Sequence, residues 1–158
     1  MDLIHFSRDP VATLASMVQP VEPSFKPHGF WVSDESEKDN WSAWCRAEEF
    51  HLDRLACRTR VHLVPAHRVL ILNTSSEIRR LTDDYGGCPE YMAQMPWPSR
   101  QGYAIDWACI AKDYQGIIIT PYQWSMRLHE ACFWYYGWDC ASGCLWDVSC
   151  IDQIEQLR

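Results

Sequence analysis

Three consecutive isoleucines, Ile117-Ile118-Ile119, bounded by Gly116 and Thr120, constrain this chain more than any other feature. A short run of β-branched residues closed by turn formers reads as a strand buried within a sheet. Leu3–Phe6, Gly29–Ser33, Val61–Leu63, Val69–Leu72 and Gly143–Val148 are further short apolar runs that read as strands. Helix signals lie between them. Asp9-Pro10 opens a helix over Val11–Val18, and Asn40 caps one over Trp41–Leu55. Ser75 or Ser76 starts another through Leu81, and Ile105–Ala111 is at least partly helical. Prolines 20, 23 and 27 make an extended stretch, Tyr85–Gly102 reads as loop, and the residues after Val148 as a polar tail. Strands at both ends with helices between them predict an α+β domain rather than a regular βαβ series.

The 158 residues fit one domain over 1–158. No apolar run reaches the roughly 18 residues of a membrane-spanning helix. The formal charge of -7 excludes a broad basic nucleic-acid surface, leaving room only for a local groove. Arg54, Arg58, Arg60 and Arg68 are the densest basic group. Nine Trp, 7 Tyr and 5 Phe can build a solid core and still line a pocket. The amino terminus carries Asp2 early and lacks a charged-then-apolar leader pattern, so a cytoplasmic setting is expected. The 8 cysteines then read as reduced, mostly buried thiols.

Two segments carry candidate chemistry. His5 and Ser7, two residues apart in a strand, share one face and can meet a polar ligand such as a ribose diol. In Gly29-Phe30-Trp31-Val32-Ser33, Gly29 permits close backbone approach, and Phe30 and Trp31 point to opposite faces. The helix that follows opens with Trp41-Ser42 and carries Trp44, which can set an aromatic plane against a flat ring.

Together these segments resemble the ADP-ribosyltransferase family of the H-Y-E type. The resemblance implies a mixed, mainly antiparallel split β-sheet flanked by helices, with NAD as the substrate. It puts His5 and Ser7 on a ribose of NAD, and Gly29, Phe30 and Trp31 on the nicotinamide pocket wall, with Trp31 where the family usually has Tyr. Trp41 or Ser42 would approach the amide, and Trp44 matches the stacking aromatic. Lys112–Ile119 looks like the Tyr-x-Gly-Ile strand that often precedes the last motif. In that motif the family has a Glu at the start of a late strand. Here Ser142 takes that place; Asp139 is the preferred catalytic replacement, ahead of Glu130. The implied activity is transfer of ADP-ribose to a macromolecular acceptor, a protein or a nucleic-acid base, or hydrolysis of NAD. Such chemistry passes through an oxocarbenium-like state and needs a carboxylate and a water-excluding clamp.

Two other readings stay open. His129-x2-Cys132 with Cys140-x3-Cys144 overlaps zinc-ligand spacing. A noncatalytic inhibitor or binding protein would use the aromatic cleft for a partner. The phosphate-loop, nucleophile-elbow, dinucleotide-fingerprint and zinc-deaminase motifs are missing from the sequence.

Overall fold

A computed structural model describes residues 1–90 and 101–157. The strands are β1 (Leu3–Ser7), β2 (Phe30–Asp34), β3 (Cys57–Leu63), β4 (Val69–Leu72), β5 (Gly86–Gly87), β6 (Ala104–Ile105), β7 (Gly116–Ile119), β8 (Ser142–Leu145) and β9 (Ile151–Leu157). Among the described residues three α-helices accompany them, α1 (Trp41–Ala47), α2 (Ser75–Tyr85) and α3 (Trp107–Ile110). Seven strands form one curled, mixed sheet in the order β4-β7-β8-β2-β1-β3-β9, and β5 and β6 make a separate ribbon. β4 and β7 run parallel, while the other neighbours in the sheet are antiparallel. The α+β class is therefore as the sequence predicts, and the sheet is mixed and mainly antiparallel. No helix among the described residues is long and apolar enough to cross a membrane.

The isoleucine run is β7, and its alternation divides the core. Ile117 and Ile119 enter one apolar layer and Ile118 the other, all fully buried. The first layer holds Trp107, Trp134, Trp138 and Trp146 beside α2 and α3. Each buried indole N–H needs an acceptor. Trp107 donates to the Ser24 carbonyl, Trp134 to the Thr82 hydroxyl and Trp146 to the Tyr114 carbonyl. The second layer is aliphatic, built on Leu3, Val32, Val61 and Leu145.

Local chemistry explains where elements begin and end. Thr74 and Glu77 close a capping box at the start of α2, which runs to Tyr85, beyond the expected Leu81. Asn40 caps α1 as expected, its side chain accepting from the Ala43 amide at 2.8 Å. That helix stops at Ala47, short of the expected Leu55, because Glu49 and His51 adopt left-handed backbone conformations. A 3-10 turn over Leu52–Leu55 follows.

Two expectations are corrected. Val11–Val18 forms no helix: the Met17 amide donates to the Trp146 carbonyl, and Met17 and Val18 stay exposed, so no apolar helical face is buried. The polar tail is instead strand β9, paired along β3. Most of the loop expected over Tyr85–Gly102 lies outside the described residues.

The sheet is joined unevenly at its centre. β1 and β2 pair only as Leu3 with Asp34 and Ile4 with Ser33. Beyond that point His5, Phe6 and Ser7 pair with β3, while Phe30, Trp31 and Val32 pair with β8. The two central strands part, and a cleft opens where they do.

Candidate functional site

The cleft has a volume of about 400 Å³ and is lined by both parting strands, the start of α1 and the turn before β8. His5 stands on the β1 side. Its Nδ1–H donates to the Trp31 carbonyl at 2.7 Å, which fixes the tautomer because a carbonyl only accepts. Nε2 has no partner among the described residues and is reached by solvent. The Phe30 ring stacks on the imidazole at 4.1 Å. Burial pushes the His5 pKa below its ordinary value against the opposing bond to Trp31. The neutral imidazole thus presents a hydrogen-bond acceptor to the cleft.

On β2 the side chains alternate as expected: Phe30 packs toward the aliphatic layer and Trp31 toward the indole layer. Trp31 leans on Trp138 at 5.0 Å, and Lys26 Nζ lies 5.3 Å above the Trp31 ring. Gly29 is compelled by its own neighbours: an added Cβ would lie 2.6 Å from the Leu145 carbonyl oxygen and 2.7 Å from Cys144 Sγ. The glycine thus serves the approach of β2 to β8 while also bordering the cleft.

Asp139 lines the same cleft, held from both sides. Oδ2 is 3.6 Å from Lys26 Nζ and Oδ1 is 3.4 Å from Arg127 Nη2. Arg127 also donates to Tyr122 Oη, and the Tyr122 hydroxyl donates to the Trp138 carbonyl just before Asp139. This network fixes the position of the carboxylate. Ser142, at the start of β8, borders the cleft and donates to the Cys140 carbonyl at 3.0 Å. Lys26 and Arg54 give the wall positive charge on a chain whose formal charge is -7.

His5, Gly29, Phe30, Trp31, Trp41, Asp139 and Ser142 are brought together around one cleft. Ser7, Ser42 and Trp44 stand back from its wall. The Ser7 hydroxyl turns to the Asp9 carbonyl, Ser42 bonds to Glu35, and Trp44 stacks behind Trp41 at 5.1 Å. Glu130 is exposed at the start of a 3-10 segment and does not line the cleft. Arg58 lies on β3; Arg60 pairs with Asp2 and Glu155, and Arg68 donates to the Asp113 carbonyl. Of the four arginines, Arg54 lines the cleft. Sequence reasoning missed Lys26, Trp138 and Ser33 as lining residues. Ser33 had a signal, since period two places it on the Trp31 face of β2.

The zinc spacing does not become a site. Among the described residues no three His, Cys, Asp or Glu side chains gather to hold a metal ion. His129 accepts from the Ala131 amide and Cys132 from the Thr82 hydroxyl. Burial pushes the Cys140 thiol up to about 12 and raises that of Cys144 as well.

Comparison with protein-family models, curated proteins and solved structures finds no match to this chain.

Proposed function

We propose that the cleft binds NAD and that the protein transfers ADP-ribose from it to a macromolecular nucleophile, releasing nicotinamide, on an ADP-ribosyltransferase-like fold. One observation carries the reading. β1 and β2 part beyond Ile4 and Ser33, and His5, the Gly29–Trp31 segment and the Asp139–Ser142 turn converge on that opening. A volume of about 400 Å³ falls within the usual range of small-molecule sites.

The residues divide the work by chemistry. Trp31 and Trp41 flank the nicotinamide ring and exclude water beside the bond to be broken. His5 Nε2 accepts a hydrogen bond from a ribose hydroxyl, and Lys26 and Arg54 offer positive charge to the diphosphate. The glycosidic C–N bond breaks with its electron pair passing to the nicotinamide ring, which loses its positive charge. Asp139 stabilises the positive charge left on the ribose. The acceptor nucleophile then bonds to C1, and its proton leaves to a base.

A second reading, binding without cleavage, draws support from Asp139, whose charge is already met by Lys26 and Arg127. One experiment separates the two. Purified protein is incubated with NAD, free nicotinamide is measured, and candidate acceptors are weighed intact for added ADP-ribose. Nicotinamide release that falls at least about 100-fold in Asp139→Ala supports transfer, since loss of one transition-state contact typically costs that much. NAD-dependent thermal stabilisation without nicotinamide supports binding alone. Full-rate cleavage by Asp139→Ala overturns the role of Asp139, and absence of any NAD response overturns the reading.

A further inference from the structure

A second carboxylate, that of Glu35, stands one hydroxyl away from the cleft. Ser33 on β2 lies directly opposite Ser142 on β8, and both line the cleft. The Ser33 hydroxyl donates to Glu35 Oε1 at 2.7 Å and accepts the Trp41 amide at 2.9 Å. Glu35 Oε2 accepts the Ser42 hydroxyl at 2.7 Å, and the Glu35 amide is tied to the Asp2 carbonyl. Glu35 therefore sits among hydroxyls and amides, in contrast to Asp139, which is held by two cations. The Ser33 oxygen, with one proton given to a carboxylate and one lone pair occupied by an amide, keeps one lone pair for a third group.

We infer that Ser33 and Glu35 form the proton-accepting pair of this cleft, with Ser33 as the group that meets the attacking nucleophile and Glu35 as its positioning partner. The inference rests on the NAD reading above. As the nucleophile bonds to ribose C1, its proton passes to Ser33 Oγ, and the Ser33 proton moves to Glu35 Oε1. The electron pair of the broken C–N bond leaves on nicotinamide. Glu35 lies two residues beyond Ser33, just past the strand end, where the chain turns toward α1.

The test uses the full chain, with NAD and water as the probe reaction and sodium azide as a second nucleophile. Azide is already an anion and needs no base. Ser33→Ala and Glu35→Gln are expected to lower nicotinamide release at least about 100-fold, the usual scale for general-base loss. NAD affinity, measured by calorimetry, should change less than about threefold, because the pair acts on the nucleophile and not on bound NAD. Azide should restore turnover in both variants and yield ADP-ribosyl azide, whereas Asp139→Ala should not be rescued. Unchanged hydrolysis in Glu35→Gln, or a loss that azide does not restore in a variant that still binds NAD, overturns the pair while the NAD reading stands. If the unaltered protein neither binds nor cleaves NAD, both fall together.

Discussion

The imidazole of His5 and the carbonyl of Trp31 bond at 2.7 Å across the line where β1 and β2 stop pairing. A side chain there takes over from a backbone ladder. The Trp31 carbonyl is satisfied without the two strands closing, so the opening persists as a defined feature of the sheet rather than a frayed edge. The same bond sets which imidazole nitrogen presents a lone pair to the cleft.

That bond has a pH signature. Burial lowers the His5 pKa below 6.5, and the bond to Trp31 only partly opposes it. The unfolded chain therefore takes up a proton that the folded chain resists. The resulting contribution to stability is complete above about pH 6.5 and is lost as pH falls toward the folded value. Melting of His5→Gln should accordingly decline less steeply than the unaltered protein between about pH 7 and about pH 5. Identical slopes in the two proteins would show that His5 is not the group responsible.

Gly29 and Gly137 make a paired test of packing. A Cβ at Gly29 meets the Leu145 carbonyl oxygen at 2.6 Å, whereas one at Gly137 meets nothing nearer than 3.6 Å. Backbone of a central strand cannot retreat easily. Gly29→Ala should cost about 1–3 kcal/mol, lowering the melting temperature by roughly 3–10 °C. Gly137→Ala should stay within about 0.5 kcal/mol. Calorimetric melting of both variants checks the contrast, and equal effects would refute it.

How far the sequence reaches is clearest at the two ends of β3. Leu63 pairs with Ile151 and His62 with Gln153, so Asp152 is an extra residue in the ladder. The bulge brings Ile151 and Ile154, three apart, onto the same aliphatic layer. Without it, period two would place them on opposite faces, and the tail shows no strand pattern. β7 was legible because three isoleucines need no partner to declare themselves. Val11–Val18 misled because a helix-start signal counts for little where docking on Trp146 offers the amide another partner. The convergence of His5, Trp31 and Asp139 followed from short segments, but the ring of charges around Asp139 did not. Lys26 and Arg127 lie 113 and 12 positions from it and meet it only in the fold.

Asp34 supplies the acid limb of stability. It is fully buried, and burial alone would raise its pKa. Hydrogen bonds from Ser36, the Asp2 amide and Thr120 outweigh that effect and hold it below 3.8. The stability so gained is present above about pH 3.8 and is lost as pH falls through the folded value. Asp34→Asn should cost about 2 kcal/mol at neutral pH, the scale of hydrogen bonds to a charged group. The gap to the unaltered protein should narrow as denaturant titrations move below about pH 4. A gap constant across that range would contradict the assignment.

The thiols separate into two populations that chemistry can read. All eight cysteines are unpaired, and Cys45, Cys132, Cys140, Cys144 and Cys150 are buried while Cys57, Cys88 and Cys109 are partly exposed. Burial pushes Cys45 and Cys150 up to about 11 and Cys140 to about 12. At about pH 8 roughly one in a thousand such groups, or fewer, is a thiolate, and the thiolate is the species that reacts. Native labelling with iodoacetamide should therefore modify Cys57, Cys88 and Cys109, with the other five reacting only after unfolding. Peptide mass spectrometry reads the outcome site by site. Fast native labelling at Cys140 would mean that the turn between Asp139 and Ser142 opens to solvent, and that the cleft wall is not fixed as the Tyr122–Arg127–Asp139 network requires.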